Sequence, residues 1–324
     1  MFVKKLLEKI KLKISYIGLI FFFDLFRKKT KPKNVFLNYR KSEIRNIFKK
    51  LHGKKTLFLQ TQIGRGGGKW LIDILNTINS VSAYGERNPN PEAFFRYSRS
   101  HGLKNYDNQL LDLVKSEIIS DWQNHQTSYV SSPYFSHGID FLDKKLNPKK
   151  IVILLPSAKR LLTSLKNKGW YNKSSKIDIS KFYSKPLNIK YKNHFYGRML
   201  NLGIENSKFN SLSQVGKIAF FMSKTLEKIY HQLLNIDGDK ILIFRLDEAD
   251  QNYDYCKNFI SKLGLKLIIN KKNFLKLKKR SSAYYENKSL NLSPKEINEL
   301  KVNLKKFKYY EKKIISQFES NHTF

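Results

Sequence analysis

One run of seven residues carries the densest chemical signal in the chain: Gly64-Arg65-Gly66-Gly67-Gly68-Lys69-Trp70. Glycines let a backbone fold tightly enough for successive N–H groups to point at a single anion. A helix opening directly behind such a loop adds the partial positive charge of its N-terminus. Arg65 and Lys69 add full charges, so the run is a design for holding phosphate or sulfate. It is not a Walker A sequence, because Ile63 stands where the first glycine belongs and Trp70 replaces the magnesium-binding hydroxyl. An NTPase or kinase is therefore disfavoured, and a glycine-rich turn without a ligand is the plain alternative. The 7 histidines are scattered without ligand spacing, so no metal is expected. No nucleophile elbow supports Ser–His–acid catalysis. The single cysteine, Cys256, excludes an intramolecular disulfide and a thiolate cluster.

The elements that must position the loop can be read from hydrophobic spacing. Thr56–Thr61 (TLFLQT) reads as a short buried strand ahead of it. Lys69–Asn79 carries apolar residues at Trp70, Leu71, Ile74, Leu75 and Ile78, the spacing of an amphipathic helix. Further strands are expected at Thr127–Ser131, Lys150–Leu155 and Lys240–Leu246, with a short one at Leu265–Ile269. Helices are expected at Lys159–Lys168, Ser223–Asn235 and Asp254–Leu263. Residues 270–290 read as basic and irregular, and Ser293-Pro294-Lys295-Glu296 is a start signal for a last helix reaching Gln317. Short apolar strands alternating with helices predict an α/β fold, three layers deep, with a mostly parallel central sheet.

In order and spacing, residues 54–310 resemble the sulfotransferases that use 3'-phosphoadenosine-5'-phosphosulfate (PAPS). The pattern is nearest to the bacterial and Golgi carbohydrate and protein-tyrosine members. The first strand of that family leads into Arg/Lys-Ser-Gly-Thr-Thr, an aromatic and Leu. Arg65, Gly67, Trp70 and Leu71 agree with this; Gly66, Gly68 and Lys69 depart, and remove hydroxyls that would contact the donor's phosphosulfate. Tyr84-Gly85-Glu86-Arg87 falls at the distance of the family's Gly-Glu turn, whose Glu is the catalytic base. Ser131-Ser132-Pro133 resembles its Lys-x-Pro loop, with Ser131 in place of Lys. The family ends a later strand in Arg-Asp-Pro and sets a Ser eight residues after that Arg. Ser164 matches the Ser, whereas Pro156 replaces the Arg, with Lys159 or Arg160 as the nearest substitutes. Phe244–Glu248 resembles the strand-end segment Arg-Tyr-Glu-Asp-Leu, and Cys256–Leu265 the helix and Leu-Gly-Leu after it. The run Lys276–Arg280 lies where the family closes over the donor's 3'-phosphate.

The resemblance implies a P-loop-type sulfotransferase fold and in-line sulfuryl transfer from PAPS to a hydroxyl, with PAP as product and no metal. The acceptor would be a carbohydrate, glycolipid or similar molecule. Glu86 would be the base, with Arg65 and Lys69 as leaving-group cations. Donor binding would fall to Gly64, Arg65, Gly66, Gly67, Gly68, Lys69 and Trp70, with Lys159, Ser164 and Arg280 toward the 3'-phosphate. Asn88–Tyr97 could floor an acceptor cleft, or be an ordinary loop and helix start. Trp170 and Tyr171 could stack on a base or sugar, or pack in the core.

The formal charge of +36 suits anionic partners, although lysine bias explains it as well. Nucleic-acid motifs are lacking, so nucleic-acid binding on charge alone ranks behind two other readings. These are an active sulfotransferase and a degenerate relative that binds a phosphorylated nucleotide or another anion without transfer. Residues 1–55, with 17 Lys/Arg against 3 Asp/Glu, read as a basic helical extension preceding the catalytic-type domain 56–324. Its apolar run Ile14–Phe26 is too short for a span of ~20 residues. It suits either a helix lying on a membrane surface or one packed on its own domain. The expected setting is cytoplasmic, with peripheral contact at the inner face of the membrane.

Overall fold

The computed structural model describes residues 41–64, 67–102, 107–167, 169–171, 203–204, 206–250, 252–282 and 292–319. The apolar run Ile14–Phe26, Arg65 and Gly66 lie outside the described residues.

The strands are β1 (Thr56–Thr61), β2 (Val81–Gly85), β3 (Thr127–Ser131), β4 (Lys150–Leu155) and β5 (Ile241–Arg245), all parallel in the order β2-β3-β1-β4-β5. Parallel strands covered on both faces read as near-continuous apolar runs, and β4 (KIVILL) is the plainest case. Side chains alternate between two cores. Leu57, Leu59, Ile151, Ile153, Ile241 and Ile243 enter one; Phe58, Val152, Leu154, Leu242 and Phe244 enter the other. The three-layer α/β/α architecture expected from the sequence is present.

The first core is covered by α1 (Lys41–His52), α3 (Pro89–Ser100), α4 (Asp107–Asn124), α5 (Ile139–Leu146) and α6 (Ala158–Asn167). Beyond the short α7 (Asn206–Ser211), α8 (Gln214–Leu233) and α12 (Pro294–Ile314) complete that layer. The second core is covered by α2 (Gly68–Leu75), the one-turn α9 (Leu246–Ala249), α10 (Tyr253–Lys262) and α11 (Lys271–Ser282). Helix α1, the end of the basic extension, packs on α4, where Phe48 stacks on Trp122 at 5.3 Å. Helix α12 opens on the capping box read from the sequence, Ser293 with Glu296. Among the described residues no helix is long and apolar enough to cross a membrane.

Strand order fixes where a ligand can sit. The chain leaving β1 travels through α2 toward β2, while the chain leaving the adjacent β4 travels toward β5. Right-handed crossovers in opposite directions lie on opposite faces, which is why α2 stands apart from α3–α8. At such a divergence the carboxyl ends of the two strands flank a crevice, and the Gly64–Gly68 loop begins at the end of β1.

Several elements differ from the sequence expectations. Leu265–Ile269 is not a strand, and helix α11 occupies much of the segment expected to be irregular. Of the segment Tyr84–Arg87 matched to a Gly-Glu turn, Tyr84 and Gly85 end β2 and Glu86 follows the strand at positive φ. Helix α8 begins nine residues before the expected Ser223, capped by Ser213 accepting from the Gly216 N–H at 3.0 Å.

Candidate functional site

The loop from β1 to α2 is pressed tightly into place. Gly67 sits at φ 83°, where a side chain is strained, and a Cβ there would lie 2.6 Å from the Leu246 Cδ2 at the start of α9. A Cβ on Gly68 would meet the Gln62 Nε2 at 2.8 Å and the Gln60 Nε2 at 3.0 Å. The backbone therefore lies on two buried amides and against a buried leucine, closely enough that a side chain at either glycine would have to push Gln60, Gln62 or Leu246 aside. Tyr129 fixes this floor by donating its hydroxyl to the Gln60 Oε1 at 2.7 Å. Gly64 lies beside Pro133 and the Trp170 ring, each 3.9 Å from the position of its Cβ. Among the described residues no side chain caps α2 at Gly67, so the N–H groups ahead of Trp70, whose own N–H donates to the Gly67 carbonyl at 3.0 Å, keep their capacity to bind an anion.

The charged and aromatic residues expected at the loop are distributed unevenly. Lys69 extends outward along α2, with its Nζ 2.9 Å from both carboxylate oxygens of Asp73 and its side chain 82% exposed. Trp70 is buried under the loop helix, edge-on to Phe274 at 5.4 Å, and anchors α2 to the second core. Thr61, at the end of β1, has a buried hydroxyl with no hydrogen-bond partner. Sequence reading did not single out Gln60, Thr61 or Gln62, although three polar residues ending an otherwise apolar strand were the available signal.

Glu86 follows β2 at φ 49°, a left-handed conformation that costs a non-glycine residue energy. Its N–H donates to the Ser131 carbonyl at 3.0 Å, and its side chain is exposed. The preceding Gly85 touches α2, since a Cβ there would lie 2.7 Å from the Ile72 Cδ1. Glu86 thus stands beside the helix that opens at the loop. Behind it lies a buried polar cluster that sequence reading missed. Glu92 accepts from the Ser132 hydroxyl at 2.6 Å and from the Asn88 N–H at 3.1 Å. Burial, aided by the nearby Glu86 carboxylate, raises it to about 7. Glu117, which accepts from Asn88, is raised by burial to about 8. Asp121 accepts from Ser82 at 2.8 Å and Ser128 at 2.7 Å. It also pairs with Arg87 at 3.0 Å, whose guanidinium lies 3.2 Å from the Tyr84 ring centroid.

At the end of β4, Pro156 leads into Ser157, whose N–H donates to Asp247 at 2.5 Å. Arg160 pairs with Asp250 at 2.8 Å and approaches Asp247 at 3.8 Å. Lys159 is exposed and Ser164 is buried. Five residues apart on α6, they lie about 140° apart around the helix, so one ligand-facing side does not carry both. Arg280 lies on α11, with its side chain outside the described residues. Trp170 and Tyr171 belong to the first core, Trp170 packing 5.3 Å from Phe221; the Trp170 ring also borders Gly64.

The arrangement can hold an oxyanion at a helix N-terminus and offers an exposed carboxylate just past the end of β2, with β3 between it and β1. No protein-family model matches the sequence, and a search of curated proteins finds no significant match.

Proposed function

We propose that the chain is a PAPS-dependent sulfotransferase acting on a hydroxyl of a carbohydrate, glycolipid or similar acceptor. The observation that carries this reading is the loop after β1. It is glycine-built, packed against Leu246 and the Gln60–Gln62 amides, and opens an uncapped helix at the point where strand connections diverge. These residues suit the phosphosulfate end of the donor. The N–H groups of Gly67 and Gly68, with Arg65, would hold its oxygens.

In the reaction the acceptor oxygen forms a bond to sulfur as the bond from sulfur to the 5'-phosphate oxygen breaks. The acceptor proton passes to Glu86, and the pair of electrons leaves on the phosphate of PAP. Sulfuryl transfer, like phosphoryl transfer, is governed by alignment and by charge on the leaving group. The loop N–H groups and Arg65 supply that charge; Lys69 joins them only by leaving Asp73. Glu86 suits the base because it is exposed and held by backbone strain beside α2.

The test is transfer of labelled sulfate from PAPS to a panel of glycans and glycolipids. Glu86→Gln is expected to lower the rate by roughly 10²-fold or more while PAP affinity stays within about twofold. Unchanged transfer by Glu86→Gln would remove Glu86 from the reaction. A second reading is a relative that binds a phosphorylated nucleotide without transfer. It is favoured by the cations near β4 and α2 being matched to carboxylates, Arg160 to Asp250 and Lys69 to Asp73. PAP binding without transfer to any acceptor would support it.

A further inference from the structure

Three of the six large apolar side chains exposed among the described residues lie on one helix. They are Ile297, Val302 and Tyr309 of α12, at 38%, 64% and 53% exposure. The same helix exposes Lys301, Lys305, Lys308 and Lys312. At about 100° per residue these four fall within roughly 60° of arc and along about 16 Å of axis, a single stripe. Val302 and Tyr309, seven residues apart, border the stripe on one side, and Ile297 borders it on the other. The buried Asn303, Phe307 and Ile314 take the opposite face, against the first core.

The carboxylates of α12 are engaged away from this stripe. Glu296 closes the capping box with Ser293, and Glu299 accepts from the Ser213 N–H at 3.1 Å at the start of α8. Glu311 is partly buried, in the field of Arg245 and, less, of Lys308. The ion pair of Lys295 with Glu299, at 4.0 Å, lies outside the stripe, and among the described residues none of the four lysines makes one. Like charges three and four residues apart lower the stability of their own helix, and apolar groups in water add to the cost. Lysine bias accounts for the charge alone. It does not account for apolar side chains set along both borders of the stripe.

We infer that the outward face of α12 is a docking surface for an anionic lipid bilayer, its lysines among the headgroups and Val302 and Tyr309 entering the boundary below them. Lysines gain from the negative potential of an acidic leaflet, aliphatic groups from the acyl boundary, and tyrosine from the interface between the two. A nucleic-acid backbone would reward the lysines and leave the apolar borders in water. Helix α12 also lacks arginine, whose planar fork suits phosphodiester contacts better than a lysine does. The contact is peripheral, since its apolar face is already used by the core. The inference is independent of the sulfotransferase reading, and the surface is separate from the amino-terminal extension.

The experiment is co-sedimentation of the full chain with vesicles of phosphatidylcholine alone and with about 30% phosphatidylserine added. Wild type is expected to bind the acidic vesicles at least about tenfold more tightly. Replacing Lys301, Lys305, Lys308 and Lys312 together by Gln should weaken that binding about tenfold or more. Replacing Lys54, Lys144, Lys145 and Lys149, four exposed lysines elsewhere, should weaken it less than about threefold. Equal loss in the two variants, or no preference for acidic vesicles in wild type, overturns the inference. So does stripe-dependent binding to duplex DNA by a chain that ignores vesicles. A second measurement places the contact. Cys256 is 1% exposed, so a polarity-sensitive dye attached to Val302→Cys reports position 302. Its emission is expected to shift to the blue on acidic vesicles, and unchanged emission while the chain is bound overturns the inference.

Discussion

Glu92 and Glu117 stay protonated in the fold at pH values where an exposed glutamate has ionised, and this has a consequence for stability. Their folded values, about 7 and about 8, lie above the ordinary 4.5, with burial the main cause in each. Below about 4.5 both the folded and unfolded chains hold these protons, and the contribution is complete. As pH rises toward 8 the unfolded chain releases them first, so stability is lost across that window. Two buried histidines act in the other direction. His101, lowered by burial to about 4, and His137 stay neutral in the fold, so stability falls as pH drops below the ordinary 6.5. Urea denaturation between pH 5 and 9 should show Glu92→Gln and Glu117→Gln each flattening the alkaline loss relative to wild type. An unchanged slope in both variants would mean that the cluster is hydrated and ionised. Glu86, the proposed base, differs from these residues in kind: it is exposed, strained and next to α2.

The loop between β1 and α2 shows what a sequence can announce about an element and what it conceals. Gly64–Gly68 marked itself by composition, and the apolar runs of β1, β4 and β5 marked strands that frame it. β2 (VSAYG) was harder, because an edge strand of five residues with Ser82 and Gly85 resembles a turn until β3 pairs with it. Helix α4 was hidden as well. Its apolar stripe is interleaved with Asp112, Glu117 and Asp121, which are buried in partnership with groups distant in sequence. That same long-range pairing is why the Glu92 cluster escaped notice, since a buried charge and an exposed one look alike in a sequence. Gly67→Ala tests the packing of the loop. Positive φ and contact with Leu246 should together cost about 1–3 kcal/mol in denaturant unfolding. The double change with Leu246→Ala should not recover it, because the backbone strain remains. A Gly67→Ala variant as stable as wild type would show that the loop is free to relax.

At the scale of the whole molecule, the fold brings together groups separated by most of the chain. The loop of β1, the strained Glu86 after β2, the turn after β3 and Leu246 after β5 meet at the carboxyl edge of one parallel sheet. A formal charge of +36 surrounds them, which draws anions toward the molecule without selecting among them. Selection has to come from the loop and the residues beside it. Calorimetric titration with PAP, alongside AMP and inorganic sulfate at the same ionic strength, asks this most directly. The account predicts one saturable PAP site per chain, at least about tenfold tighter than AMP and weakened about tenfold or more by Gly68→Ala. PAP binding that is absent, or no tighter than AMP and indifferent to Gly68→Ala, would contradict it.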